Sequence, residues 1–465
     1  MYICLCLKAI AKFVLGGFLL TDGMKNLRRR TKEWRSHPVV RNSAALYGVQ
    51  FCRKLFPLFT VPYLTRMLNP SGWGTVAFAL SMAEILTLII EFGFNYSATR
   101  EISRQRHHRE NCRDVMGGVL GAQALLAMIA IGLAAVLSPH IPLLRNQPKM
   151  VVAGLVYAVA QGCTPLWFFQ GLERLRLAAS LEIGAKLVAL CGVFLFVRSP
   201  QDGWKVVVLQ AMAASVSTVA GVGLAIRAFG FRLPNYALVR DALRRGWPLF
   251  VFRSAESLYG VGNIFLLGLF APAAVVGYFA TAEKITKAMF GLLNPIRDSL
   301  YPRLTYLAAS SEQAAAKLAR HAIIVMVSAG FFLTVTLLVM APWFIRLLAG
   351  PNFAPAVPVL RLYAILPLLL SITYSVGLQW LLPIGRDRVV NRIILGGGCL
   401  NLILSCLLAP HLGAMGMATS VLLSELYVCT NMVWVVWRST NLWSGSFLAR
   451  HTADAHPDLE ECGRS

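Results

Sequence analysis

Apolar and polar positions divide this chain into long apolar stretches separated by short gaps. Twelve stretches stand out, at about 42–68, 74–98, 114–138, 150–170, 178–198, 204–226, 247–270, 275–301, 322–348, 355–382, 389–410 and 413–438. About 20 apolar residues in a helix cross the roughly 30 Å hydrocarbon core of a bilayer. Each stretch therefore predicts one spanning helix, because in lipid a lone segment satisfies its backbone hydrogen bonds only as a helix. The gaps carry helix-stopping pairs, among them Asn69-Pro70, Ser138-Pro139, Ser199-Pro200, Ala271-Pro272 and Gly350-Pro351. Pro57, Pro62, Pro248, Pro295 and Pro367 fall within stretches and predict kinks.

Composition agrees with this pattern. Of the 465 residues, 57% are hydrophobic and 14% are charged, against about 25% charged in a soluble domain. An ordinary soluble protein is excluded, and twelve spans leave no room for a sizeable soluble domain. The net charge of +23 does not imply nucleic acid, since no basic run is interleaved with aromatics. The ten cysteines show no CxxC pair and lie mostly in apolar stretches, where they read as packing residues.

Charge placement predicts orientation. Counting residues at span ends with the loops, 30 Lys and Arg fall on the side of the N-terminus and seven on the other. The positive-inside rule then places both termini in the cytoplasm. Residues 1–41 form a basic cytoplasmic lead. Within it, Ile3 to Leu20 is apolar but interrupted by Lys8 and Lys12. That segment reads as an interfacial helix, or translation begins at Met24; a signal peptide and an additional span are the alternatives. Residues 439–465 form a cytoplasmic tail.

The chain also repeats itself. Leu68-Asn69-Pro70-Ser71-Gly72-Trp73-Gly74, followed by Ala77-Phe78-Ala79, leads from span 1 into span 2. Phe270-Ala271-Pro272-Ala273-Ala274-Val275-Val276-Gly277-Tyr278-Phe279-Ala280 does the same for spans 7 and 8, about 203 residues later. A six-span offset gives both halves the same topology, so they are parallel repeats about an axis along the membrane normal. The expected fold is an all-α polytopic membrane protein. It has about twelve helices in two six-helix bundles, 42–230 and 231–438, around a central cavity.

Seven cations lie inside the spans: Arg53, Lys54, Lys186, Arg253, Lys284, Lys287 and Arg297. A charge at mid-bilayer costs roughly 2.5–3.5 kcal/mol on insertion scales, so each needs a partner, water or a ligand. Seven acids lie in or at the edge of the spans: Glu84, Glu91, Glu182, Glu256, Glu283, Asp298 and Glu425. Mutual neutralisation is therefore one reading, and Glu182–Lys186 and Glu283–Lys287 stand four apart as local pairs do. Span 1 holds no acid to answer Arg53 and Lys54, and Arg253 lies in the repeat-equivalent helix. The second reading is anion binding, with Arg53, Lys54, Arg253, Lys284 and Lys287 as candidates. An arginine fork suits pyrophosphate oxygens.

Glu84 and Glu91 share a helix face, seven residues apart. They read first as partners of Arg53 or Lys54, and second, with Glu256 and Glu425, as sites for a coupling H⁺ or Na⁺. Trp73, Trp167 and Trp380 read as interfacial-belt aromatics, with sugar stacking as the alternative. The chain has no GxxxxGK[ST] loop, no Ser/His/Asp arrangement and no zinc spacing. It implies neither an enzyme nor a cofactor, and it points to secondary transport.

Thr164-Pro165-Leu166-Trp167-Phe168-Phe169-Gln170-Gly171-Leu172-Glu173-Arg174 resembles the loop after span 4 in the polysaccharide-transporter family, the Wzx-type flippases. Leu266-Leu267-Gly268-Leu269-Phe270, Val276 to Lys284, and Ser299-Leu300-Tyr301-Pro302-Arg303-Leu304 resemble that family's second-half signature. The resemblance implies two six-helix bundles in alternating access in a bacterial inner membrane. The implied substrate is an undecaprenyl-pyrophosphate-linked oligosaccharide, moved from the cytoplasmic to the periplasmic leaflet through a cationic cavity. It also implies a polysaccharide polymerase and a chain-length regulator as partners. Where the family often has an Asp, this chain has Asn263, which shifts any coupling role towards Glu256.

Overall fold

The structure is a computed structural model that describes the backbone of residues 38–260 and 262–439. The side chains of 38–59, 175–177, 252, 255–259, 312 and 439 lie outside the described set. All regular structure in the described residues is helical. In chain order, the helices that matter here begin with α1 Pro38–Glu91, α2 Phe94–Gln105, α3 Arg109–Leu137 and α4 Pro148–Gly162. There follow α5 Leu166–Gly171, α6 Leu175–Phe196, α7 Gly203–Phe229, α8 Tyr236–Gly260, α9 Gly262–Phe270 and α10 Ala273–Gly291. The rest are α11 Asn294–Ser310, α12 Glu312–Leu348, α13 Ala356–Tyr363, α14 Leu366–Val376 and α15 Asp387–Ser439.

Eight stretches among the described residues are long and apolar enough to cross a bilayer. Two of them, Thr60–Gln105 and Asp387–Arg438, are of double length, 46 and 52 residues. Helix α1 turns back at Asn69 (φ 57°, ψ 170°) and α15 at Gly413 (φ 55°, ψ −128°), so each holds two spans. The remaining two expected spans, around α8–α9 and α10–α11, are less apolar. They carry Arg253, Lys284, Lys287 and Arg297.

Two of the expected proline kinks are instead helix starts. The polypeptide breaks ahead of Pro295 and Pro367, and each proline sits in the first turn of a new helix. There its missing N–H sacrifices no hydrogen bond. Pro248 does lie inside α8, and α1 runs through Pro57 and Pro62 without leaving helical geometry.

The repeat appears directly in the packing. A Cβ added at Gly74 would lie 1.7 Å from the Ala273 carbonyl oxygen, and one at Gly277 would lie 2.2 Å from that of Pro70. The same 203-residue offset relates Gly74 to Gly277 and Pro70 to Ala273. The contact is thus reciprocal, as at a two-fold axis. Two glycines let α1 and α10 cross backbone against backbone, the usual device where lipid offers no hydrophobic drive to association. Around this crossing Leu68, Val76, Phe78, Val276, Phe279, Leu360 and Met417 are buried in one apolar core shared by both halves. Val188, Val219, Phe332 and Val339 face outward, each more than 70% exposed or nearly so, as a lipid-facing surface requires.

At the other end of the bundles the apolar contacts divide. Phe94, Ile102, Met116, Trp167 and Ala225 form one cluster, against which Val239, Leu243 and Phe250 of α8 pack. Leu304, Ala319, Trp380, Val390 and Val428 form another within the second half. The motif Thr164–Arg174 belongs to the first of these. Trp167 and Phe168 meet edge-on at 5.7 Å, Phe168 meets Phe229 at 5.2 Å, and Gly171 makes room for Ile102. Thr99 Oγ1 donates to the Trp167 carbonyl, and Glu173, at φ 58°, pairs with Arg106. This motif packs a bundle end.

Candidate functional site

The helices that cross at Gly74 and Gly277 line a seam between the halves, and the embedded charges gather along it. Lys287 Nζ lies 3.0 Å from Glu283 Oε1 and donates to the Gly260 carbonyl at 2.8 Å. The expected i,i+4 pair thus forms, and two of the three ammonium donors of Lys287 are committed. Glu283 itself is buried.

Arg253, on α8, lies 3.8 Å from Glu91 and donates to Tyr96 Oη at 3.4 Å, with its guanidinium 5.6 Å from the Tyr96 ring centre. Arg297 bonds Asp298 and lies over the Tyr374 ring at 4.9 Å. Glu182 and Lys186 pair at 3.1 Å inside the first half. Neutralisation therefore holds for most of the described embedded charges.

Lys284 is different. Among the described residues it has no carboxylate within ion-pair distance and no hydrogen bond. Its ammonium lies 5.7 Å from the centre of the Trp73 ring, with Glu84, Glu283 and Lys287 within electrostatic range. Trp73 is 2% exposed and its Nε1 has no hydrogen-bond partner; the buried Tyr363 hydroxyl has none either. An indole face stabilises an ammonium without satisfying its donors. The donors of Lys284 stay available to an anion.

The acids are partly elsewhere than expected. Glu84 is exposed to the seam and accepts from Tyr157 Oη at 2.8 Å, while Glu91 answers Arg253. The side chains of Arg53, Lys54 and Glu256 lie outside the described residues, so the expected pairing of Glu84 and Glu91 with Arg53 or Lys54 does too. Glu425 is buried in the second half, where it accepts from Thr373 Oγ1 at 2.7 Å. Asn263 is 2% exposed within α9.

Trp73, Trp167 and Trp380 were expected at the interfacial belt or on sugars. All three are instead buried, at 1–2% exposure. Each is covered by a neighbouring helix, and Trp73 serves as the platform for Lys284. Sequence reasoning passed over Tyr157 and Tyr363. Tyr157 had a readable signal, since Tyr157, Gln161 and Thr164 fall at i, i+4 and i+7 on one face of a mostly apolar segment.

Comparison with known proteins follows the same direction. Residues 39–308 match the family described as "Polysaccharide biosynthesis protein". Two relatives carry the name "Putative O-antigen transporter". The Escherichia coli (strain K12) protein is 27% identical over 401 residues, covering 85% of this chain and 96% of its own. The Shigella dysenteriae protein is 28% identical over 403 residues, covering 84% and 98%. Among solved structures, the fold resembles "Lipid II flippase MurJ, inward closed conformation", with a TM-score of 0.66, 12% identity and coverage of 86% and 87%. It also resembles an inward-facing multidrug resistance MATE family transporter of the MOP superfamily, with a TM-score of 0.58, 14% identity and coverage of 83% and 98%. At such identities these likenesses concern the fold, which is the twelve-helix, two-lobe arrangement. The family match spans more than half of the chain, and with it this protein is a member of the polysaccharide biosynthesis protein family.

Proposed function

We propose that this protein is a flippase for undecaprenyl-pyrophosphate-linked oligosaccharide repeat units, a transporter rather than an enzyme. It would carry them from the cytoplasmic to the periplasmic leaflet of a bacterial inner membrane for O-antigen or exopolysaccharide assembly. Both termini face the cytoplasm in this reading, as the distribution of Lys and Arg requires. The observation that carries it is Lys284, an embedded ammonium on the seam with no ion-pair partner among the described residues. Pyrophosphate oxygens would supply the acceptors it lacks.

The neighbouring pairs give the site a way to adapt. Arg253 stands 3.8 Å from Glu91, and an incoming pyrophosphate would compete with that carboxylate for the guanidinium. The sequence adds Arg53 and Lys54 of the first span as further candidate cations, with side chains outside the described residues. The glycan and pyrophosphate move through the polar seam, since each unmatched polar group in hydrocarbon costs several kcal/mol. The polyprenyl tail stays in lipid.

Purified protein reconstituted in liposomes with undecaprenyl-pyrophosphate oligosaccharide should make that lipid accessible in the far leaflet. Lys284→Ala should slow this at least tenfold while leaving insertion intact. Full activity in that variant would remove the anion-binding role. Export of organic cations with no movement of any lipid-linked sugar would replace the reading with a multidrug-type exporter.

A further inference from the structure

Inside the first bundle, beside the seam, lies a cavity of about 170 Å³ between the first helix, α4, α6 and α7. One water needs roughly 10–15 Å³, so the cavity has room for a ligand group. Its polar lining includes Tyr157, Gln161, Glu182, Lys186, Gln210 and Ser217, together with Thr60 and Thr164. Glu182 and Lys186 are paired at 3.1 Å, so the wall carries no net charge and has no electrostatic reason to collect an ion.

The other groups point to a different ligand. Gln161, Gln210 and Ser217 make no side-chain hydrogen bond within the protein among the described residues. All three are half-buried, so their polar ends face the cavity and are open to a ligand. Together they offer both donors and acceptors, which matches sugar hydroxyls, each of which donates and accepts. A phosphate offers only acceptors and would leave the amide oxygens of Gln161 and Gln210 unmatched. One side chain relates the seam to the cavity. Tyr157 lines it and donates to Glu84 at 2.8 Å, and Glu84 lies within electrostatic range of Lys284.

We propose that this cavity is a subsite for one neutral sugar of the lipid-linked glycan. The proposal rests on the flippase reading and deepens it: pyrophosphate is held at Lys284, and a nearby sugar enters the first bundle past Tyr157. The glycan's uncharged part is then recognised by amide and hydroxyl groups of one half, and its charged part by cations on the seam.

The test compares two probes on full-length protein in nanodiscs: bare undecaprenyl pyrophosphate, and the same lipid carrying one N-acetylhexosamine. The wild type should bind the sugar-bearing probe about tenfold more tightly, the effect of one or two added hydrogen bonds. In a Gln161→Leu/Gln210→Leu double variant the ratio should fall to near one. Ser217→Ala, which removes the hydroxyl with little change of volume, should lower it in a protein that melts like the wild type. Equal wild-type affinity for both probes, or a ratio preserved in these variants, overturns the subsite and leaves the flippase reading standing. Failure of the wild type to bind either probe removes that reading and the subsite with it.

Discussion

The two ends of the seam are built differently. At the end that carries the Asn69 turn, the halves share one apolar core and touch backbone to backbone at Gly74 and Gly277. Thr65 Oγ1 donates to the Leu348 carbonyl there, Arg66 to that of Leu347, and Asn352 to Asn69. At the end that carries Gly93 the apolar contacts are split in two, one cluster of the first half with α8 packed on it and one within the rest of the second half. Contacts between α8 and the first half at that end mix side chains with one close backbone approach: Arg253 meets Glu91, Arg245 meets Glu101, Phe250 stacks on Phe92 at 4.6 Å, and a Cβ on Gly246 would lie 2.7 Å from the Phe92 carbonyl oxygen. Separating the first end would expose a continuous core and break a fit made without Cβ atoms. Separating the second would part a smaller apolar contact, centred on Phe250 and Phe92, and release charges that water can meet. The seam therefore opens most cheaply at the Gly93 end, which is the cytoplasmic one if both termini are inside.

The largest effect should come from breaking the tight end. Gly74→Leu or Gly277→Leu places a side chain where a carbonyl already lies, and should cost more than the ~1–3 kcal/mol of ordinary overpacking. Size-exclusion of the detergent-purified variant should show aggregated or absent protein. Gly132→Leu, at a position with nothing within 4 Å, should run as the wild type does. If both variants behaved alike, the crossing would not be what joins the halves.

At the open end the effects should be smaller. Glu91→Gln removes a half-buried pair at 3.8 Å, worth less than about 1 kcal/mol. In a cysteine-free background, labelling of a cysteine at position 95 by an impermeant thiol reagent should rise about two- to fivefold. Exchanging the charges, Glu91→Arg with Arg253→Glu, should bring it back towards the starting rate. An unchanged rate would mean that this pair does not hold the end shut.

High salt offers a third comparison. Arg232–Asp114 and Arg245–Glu101 are partly exposed, whereas the Gly74 crossing contains no charge. Raising ionic strength from 0.01 to 1 M shortens the screening length about tenfold, from roughly 30 to 3 Å. That should increase labelling at the Gly93 end and leave the Asn69 end unchanged. The smallest effect belongs to the exposed Arg106–Glu173 pair. Arg106→Ala should change stability by about 0.2–1 kcal/mol at most, read from thermal melting. A larger loss would show that Glu173, with its left-handed backbone, needs that arginine to hold the motif turn.

Local features were legible. The apolar stretches located the helices, and the four-residue spacings of Glu182–Lys186 and Glu283–Lys287 announced pairs that form. Seven-residue spacing put Glu84 and Glu91 on one face, but it could not say that one would meet Tyr157 and the other Arg253. Those partners lie 73 and 162 residues away. Depth was misread for the tryptophans, because apolar flanks do not reveal which neighbour covers a ring. The Trp167-Phe168-Phe169 run signalled the family, while its physical work is to fill a bundle end. Pro295 and Pro367 read as kinks inside spans, and only the local breaks turned them into helix starts.

The sequence by itself determined the membrane class, the number of spans, the parallel repeat and the presence of more embedded charge than lipid tolerates. These follow from backbone satisfaction in hydrocarbon and from spacing along one chain, and both are local or periodic. Tertiary structure decided which cation lacks an ion-pair partner among the described residues, which end of the seam is sealed by a shared core, and where uncommitted amides face a cavity. Those depend on residues brought together from distant segments. A charge or amide is answered or left open according to what lies within about 3–4 Å, a distance that the order of residues does not specify.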